Sequence, residues 1–182
     1  DIATTLNPLK LAHRTSDNNY HLSWLEALEL YERGDFIDAA EKGWYTIELL
    51  RKALLVAVGI PYDKAKSLEF SLPIFARVLR GLKRRDLLDA YYKFDSSLHI
   101  RGFYEMILSP EEVGDLLVEL EQWIDGMVKV IRKLSELDLK NVVDVMEKCL
   151  KLKRKVFQTN LEYHDALREL SQVIQQAILK IT

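Results

Sequence analysis

The sequence contains few residues that break helices and none that can form a disulfide within the chain. Its 182 residues include seven glycines, four prolines and one cysteine, and neither glycine nor proline occurs after Gly126. A sheet protein needs many tight turns, which glycine and proline supply, so this scarcity predicts an all-α fold. A chain of this length can bury a core without disulfides. The lone Cys149, with no leader segment evident ahead of it, indicates a reduced cytoplasmic protein.

Long apolar runs and an excess of basic charge are also missing. The longest apolar stretch, 53–60, is far shorter than the roughly 18 residues that a membrane helix needs, so we expect no membrane contact. The formal net charge of -2 argues against a surface that is basic throughout for binding nucleic acid. Two basic clusters, at 77–85 and 148–155, can contact phosphates, but acidic neighbours dilute both and favour a solvated face.

Apolar residues recur every three or four positions along most of the chain, which is the spacing of an amphipathic helix. With the breakers between them, they predict helices over 17–33, 36–58, 63–70, 72–82 and 86–107. Gly102 is expected to be a kink or a close-packing point in the last of these. Ser109, Pro110 and Glu112 form a capping-box pattern, so a further helix should begin there and run to about Leu134.

One hydrophobic core is expected for these helices. The helix over 36–58 becomes apolar on nearly every side, so it is predicted to be central. Residues on the apolar stripes of the helices should meet in that core: Trp44, Ile47, Leu50, Leu54, Phe103 and Leu117.

The end of the chain carries an apolar seam with a spacing of four and three that persists for about six heptads. Lys153 and Asn160 interrupt it, and residues 159–162 form a second capping-box pattern. Two structures fit this pattern equally, one long helix or a helical hairpin that bends near Gln158. The seam must cover its own bundle or a second subunit, and we favour the second subunit.

The sequence carries no metal, phosphate or dinucleotide motif, and no histidine has another His or a Cys one helical turn away. We therefore expect no metal and no cofactor. Residues 98–105 nevertheless bring together four different polar groups, on His99, Arg101, Tyr104 and Glu105. Arg101 and Glu105 are four apart and can pair on a helix. A surface ion pair beside a hydrogen-bonded histidine is the commoner outcome of such spacing, and a functional site is the alternative.

Glu41 and Lys42 precede Trp44 on the central helix. Charges on a helix this apolar either form a solvated edge or belong to a polar cleft. The edge is favoured, because a long lysine side chain can reach solvent at little cost.

The segments AAEKGW (39–44), LHIRGFYE (98–105) and SPEEV (109–113) resemble the archaeal PaREP type one family over about residues 22–133. That family belongs to the HEPN clan, the higher eukaryotes and prokaryotes nucleotide-binding helical bundles. The resemblance implies a four- or five-helix up-and-down bundle that is often dimeric. It also implies that active members are metal-independent ribonucleases of toxin or defence systems.

Those ribonucleases carry an Arg, four to six residues, and then a His on the last core helices. Here the matching pair is Arg14 and His21, ahead of the bundle, whereas at the expected place His99 precedes Arg101. In a ribonuclease His99 would act as the base near the ribose 2'-hydroxyl and Arg101 as the cation on the phosphate. The reversed order argues against that activity.

These observations predict an N-terminal arm (1–16), a HEPN-like helical bundle (17–135) and a C-terminal helical extension (136–182). We expect a noncatalytic interaction or ligand-binding protein that forms a homodimer through its C-terminal helices. The ligand-binding candidates are Glu41, Lys42, His99, Arg101, Tyr104 and Glu105. The alternative is a HEPN-type ribonuclease or nucleotide-binding module of a toxin-antitoxin or defence system, with nucleic acid or a nucleotide as its partner.

Overall fold

A computed structural model describes residues 20–135, 144–145, 147–148 and 160–180, and 86% of these residues are helical. No strand occurs among them, so the all-α prediction is confirmed. The helices are α1 Tyr20–Glu32, α2 Phe36–Ala57, α3 Tyr62–Ala65, α4 Leu68–Gly81, α5 Arg85–Phe94, a π-helical segment Asp95–Tyr104, α6 Pro110–Leu134 and α7 Asn160–Leu179. The N-terminal arm expected over 1–16 lies outside the described residues.

Helices α1 and α2 form an antiparallel hairpin, and two residues determine the turn between them. Gly34 adopts a left-handed φ of 83°, which glycine accepts without a Cβ clash. Asp35 then caps α2, its Oδ1 accepting a hydrogen bond from the Asp38 amide at 3.2 Å. Helix α2 packs against α1, α6 and the π segment, so it is the central helix that the sequence predicted.

The hydrophobic core forms around α2. Five of the six residues predicted to lie in the core are buried in it. Four lie on α2 and one on α6, all of them buried: Trp44, Ile47, Leu50, Leu54 and Leu117. The prediction for Phe103 is wrong, because its side chain is only half-buried. The segment that carries it is not α-helical, so the stripe inferred from α-helical spacing does not apply there.

Two predicted helix boundaries are also wrong. The helix expected over 86–107 is divided into α5 and the π segment. Helix α4 begins at Leu68 and continues through Pro73, whereas the sequence suggested separate helices over 63–70 and 72–82. Pro73 lies near the start of α4, where its missing N–H removes one bond of the helix.

The start of α6 is as predicted. Ser109 Oγ accepts from the Glu112 amide at 3.1 Å, and Glu112 Oε2 accepts from the Ser109 amide at 2.7 Å. This reciprocal pair satisfies two backbone donors that an uncapped helix leaves without partners.

Helix α7 packs against α4 of the same chain. Its buried side chains are Ala166, Leu167, Leu170, Ile174, Ala177 and Ile178. Lys148 and Glu169 form an ion pair of 2.7 Å, whereas one straight helix would set them about 31 Å apart at 1.5 Å per residue. The described ends of the extension therefore do not lie along one straight helix. Residues 149–159, with the bend expected near Gln158, lie outside the described residues.

No helix in the described part of the chain combines the length and the apolar character needed to cross a bilayer.

Candidate ligand-binding site

An open groove of about 550 Å³ lies beside the α1–α2 hairpin, and we call it the acidic groove. Helices α1 and α2 and the turn between them supply most of its lining, and the π segment supplies one aromatic ring. The lining residues are Glu26, Glu29, Leu30, Arg33, Asp38, Glu41, Lys42 and Phe103. Its volume falls within the range of about 300–1,000 Å³ that is usual for small-molecule sites.

The charges of the acidic groove are not balanced. Four carboxylates and two cations line it. Lys42 pairs with Glu26 at 2.7 Å, and Arg33 pairs with Glu29 at 3.2 Å. Both cations are therefore occupied by α1 carboxylates, which leaves the two α2 carboxylates without an ion pair in the described residues.

Those two α2 carboxylates are Asp38 and Glu41. Three residues apart on one helix, they lie on the same face with Cβ atoms about 5–6 Å apart. Glu41 Oε2 is buried and has no hydrogen-bond partner among the described residues. A buried polar atom left without a partner costs about 1–3 kcal/mol, so the burial of this oxygen is unfavourable.

The π segment reaches the groove because Gly102 lets its backbone approach α2 closely. A Cβ added at Gly102 would lie 2.9 Å from the Cβ of Ala40 and 3.3 Å from the carbonyl oxygen of Ser97. Gly102 is thus the close-packing point that the sequence indicated. The Glu105 amide donates to the Ile100 carbonyl at 2.8 Å, a bond between residues five apart, as in a π-helix. This geometry holds Phe103 at the edge of the groove.

His99 lies in an aromatic stack next to the groove. Its ring is stacked on Trp44 at 5.1 Å and meets the edge of Tyr104 at 4.9 Å. His99 Nδ1 is buried and has no hydrogen-bond partner among the described residues. The half-buried ring therefore fastens the π segment to α2 mainly through apolar and aromatic contact.

Behind this stack lies a buried ion pair that sequence reasoning missed. Arg51 donates to Glu48 through Nε at 3.2 Å and Nη2 at 2.9 Å, and through Nη1 to Ser71 Oγ at 2.5 Å. Tyr91 donates to Glu48 Oε1 at 2.8 Å. Burial raises the pKa of Tyr91 well above its ordinary value, and the Glu48 carboxylate raises it further. The available signal was a Glu and an Arg three residues apart in the largely apolar second half of α2.

The structure divides the six predicted site residues into three groups. Glu41 and Lys42 line the acidic groove, while His99 and Tyr104 belong to the aromatic stack. Arg101 and Glu105 are exposed, and no ion pair joins them in the described part of the chain. The pairing at four residues assumed an α-helix, whereas Glu105 lies past the end of a π-helix.

The α1 side of the groove was also missed. Glu26, Glu29 and Arg33 have the spacing of an ordinary exposed helix face. Only the packing of α1 against α2 brings them opposite Glu41 and Lys42. Among the described residues, no three His, Cys, Asp or Glu side chains come together in a way that could hold a metal ion.

The fold and the groove together define an all-α helical bundle with a charged cleft beside its first hairpin. The chain belongs to the archaeal PaREP1/PaREP8 family, whose sequence model matches residues 20–124. That match runs from α1 into α6 and includes the whole acidic groove and the aromatic stack. No curated protein and no solved structure matches the chain significantly.

Proposed function

We propose that this protein is a noncatalytic, ligand-binding helical bundle that holds a small organic cation in the acidic groove. The observation that supports the proposal is the carboxylate of Glu41, which lines the groove and makes no ion pair among the described residues. Asp38, on the same face of α2, offers a second carboxylate that makes no ion pair there. An ammonium group would satisfy both, and a hydrogen bond to a charged group contributes about 1.5–3 kcal/mol.

The rest of the groove suits the remainder of such a ligand. Leu30 and Phe103 provide apolar surface beside the carboxylates. The face of an aromatic ring also attracts a cation, by about 0.5–1 kcal/mol at an exposed site. A ligand with an amine and a short aliphatic chain fits this combination of charge and apolar wall.

Titration calorimetry with spermidine tests the proposal, with 1,8-octanediol as a neutral counterpart of similar length. We expect spermidine to bind and the diol not to bind. Glu41→Gln keeps the shape of the side chain but removes its charge, and it should weaken spermidine binding roughly 5- to 30-fold.

Glu32→Gln is the matched control, because Glu32 is an exposed α1 residue that does not line the groove. It makes the same change in net charge close by, so it should alter affinity less than about two-fold at physiological ionic strength. If the two variants weakened spermidine binding equally, general electrostatic attraction would explain the binding, and the proposed site would be refuted.

A ribonuclease is the second candidate, and one observation favours it. His99 Nδ1 has no partner among the described residues, so that nitrogen is not committed to another group. Against this, the ring is stacked on Trp44 and half-buried, while Arg101 is exposed. Cleavage of RNA in the presence of a chelator, abolished by His99→Ala, would replace the noncatalytic proposal with this one.

Self-association through the C-terminal helices stays a prediction. The buried apolar side chains of α7 pack on α4 of the same chain, so a dimer would have to use other surfaces or exchange this helix. Light scattering of the full chain over a range of concentrations decides between monomer and dimer.

A further inference from the structure

An exposed surface with several large apolar side chains lies at the end of the π segment and in the turn that follows it. Its apolar members are Ile100, Tyr104, Met106 and Ile107, with 39%, 64%, 62% and 58% of their surfaces exposed. Together with the exposed Arg101 and Glu105, they form what we call the π face. Single exposed apolar side chains are ordinary on a protein surface, whereas several that lie together mark an interaction site.

The backbone of the π segment places these side chains on one side of it. In a π-helix the hydrogen bonds join residues five apart, so residues four or five apart are neighbours on the surface. Ile100 therefore lies beside Tyr104 and Glu105. The opposite side of the segment carries Leu98 and Gly102, which are buried against the bundle. The described helices thus leave the π face open.

Met106 occupies a backbone conformation that usually belongs to glycine. Its φ of 55° lies in the left-handed region, where a Cβ is disfavoured. The Ile107 amide donates to the Arg101 carbonyl at 3.0 Å and closes the end of the segment, as happens at helix ends that favour glycine. The fold of one protomer gains little from a methionine this exposed. Contact with a second molecule would account for it, because a flexible apolar side chain adapts well to a binding surface.

The two charged residues of the π face have opposite signs. Arg101 and Glu105 make no ion pair in the described part of the chain. A nucleic acid or an anionic membrane would select for a surplus of cations, which this face does not offer. One cation and one anion beside an apolar patch instead complement a second copy of the same surface, because a twofold axis sets each of the two residues against the other one of the partner.

We propose that the π face is a twofold interface between two copies of this chain. Arg101 of each protomer pairs with the partner subunit's Glu105, and the apolar side chains of both copies pack between these two pairs. The patch is smaller than the roughly 800 Å² that each partner buries in a standard stable complex, so the dimer is weak and forms at high protein concentration. It leaves α7 packed on α4.

Sedimentation equilibrium of the full chain over a wide range of concentration tests the proposal, with charge reversal as the perturbation. Arg101→Glu and Glu105→Arg each set like charges against one another at two symmetric places, so each should raise the dimer dissociation constant roughly 5- to 30-fold. Arg101→Glu with Glu105→Arg restores opposite charges and should recover most of the lost affinity. Arg80→Glu makes the same charge change at an exposed arginine of α4 and should alter the constant less than about two-fold.

Two apolar substitutions test the patch itself. Ile107→Ser should raise the dimer dissociation constant about ten-fold or more, whereas Val118→Ser, at a residue of α6 that is 61% exposed, should leave it nearly unchanged. Met106→Gly should also weaken the dimer, yet at dilutions where the protein is monomeric it should leave Tm unchanged or raise it, because glycine suits the backbone there.

Several results would overturn the proposal. A full chain that stays monomeric at the highest attainable concentration would leave the π face to some other occupant. A dimer that resists both single charge reversals, or that the double reversal does not rescue, would associate through another surface, such as an exchanged α7. A clear fall in the Tm of dilute Met106→Gly would show that Met106 serves its own bundle and not an interface.

Discussion

Replacing Gly102 by alanine tests whether the contact between the π segment and α2 sets the geometry of the acidic groove. The new Cβ would lie 2.9 Å from the Cβ of Ala40, an atom that no side-chain rotation can move. Relief therefore requires one of the two backbones to shift. Overpacking of this kind costs about 1–3 kcal/mol, whereas replacing glycine by alanine within a helix recovers at most about 1 kcal/mol. We expect a net loss of about 0.5–2 kcal/mol.

The assay is urea unfolding combined with a double-mutant cycle. Ala40→Gly removes the opposing methyl group and alone should cost about 1 kcal/mol. Because Ala40→Gly reopens the space, the double variant Ala40→Gly/Gly102→Ala should be at least as stable as Ala40→Gly alone. This outcome corresponds to a coupling free energy of about 1 kcal/mol or more between the two positions. Spermidine affinity should fall in Gly102→Ala and recover in the double variant, since Phe103 returns to the groove.

Gly34→Ala is the control for this cycle. Gly34 has a φ of 83° and nothing within 4 Å of an added Cβ, so the variant should lose about 1 kcal/mol through backbone strain alone. Ala40→Gly should not rescue it. If Gly102→Ala unfolds at the wild-type urea concentration, or the cycle shows no coupling, the close contact does not position the π segment.

Three further predictions concern the rest of the fold. Arg51→Met should lower the free energy of unfolding by about 3–5 kcal/mol because it strands Glu48 beside the core, whereas the exposed Arg85→Met should stay within about 0.5 kcal/mol; urea titration measures both. Removal of residues 136–182 should lower Tm and solubility, because it uncovers the face of α4 that α7 covers, and a truncated protein as soluble and stable as the full chain would contradict that packing. Tyr20 has its pKa raised from 10.0 to about 12, so the unfolded state loses the phenol proton at a lower pH than the folded state, and the free energy of unfolding falls as the pH rises from 10 toward 12. Tyr20→Phe should therefore flatten the fall of the urea midpoint above pH 10, and an unchanged slope would rule this out.

Local signals predicted much of the helical framework. Gly34, Asp35 and Ser109 act within one turn of their own positions, so their effects can be read without knowing the tertiary structure. The apolar residues of α2 likewise predicted its central place, because a helix that is apolar on nearly every side has to be surrounded by other helices.

The π segment could not be predicted in the same way. Its composition is compatible with an ordinary α-helix, and its geometry depends on the approach of Gly102 to Ala40, a contact between residues far apart in sequence. Phe103 was placed in the core for this reason. The burial of Arg51 was missed because charged side chains are usually exposed, and its hydrogen bonds to Glu48, Ser71 and the Ala65 carbonyl make the burial tolerable.

The candidate site was predicted in part. Glu41 and Lys42 were singled out as charges on an apolar helix, and they line the acidic groove, although the edge interpretation had been favoured. The ion pair expected between Arg101 and Glu105 is absent from the described residues, because it depended on α-helical spacing. The α1 carboxylates could not be found from spacing, since their importance comes from facing α2.

The π-helical segment also makes the groove sensitive to the length of the chain. In an α-helix each residue turns the backbone by about 100°, so deleting one residue between 95 and 98, with the later residues keeping their hydrogen-bond pattern, would turn their side chains about the helix axis. The ring of residue 103 would then leave the groove, and the imidazole of residue 99 would leave Trp44, without any change in the chemical identity of either. Insertion or deletion of a single residue in this segment would thus change the lining of the groove while the rest of the bundle kept its helices.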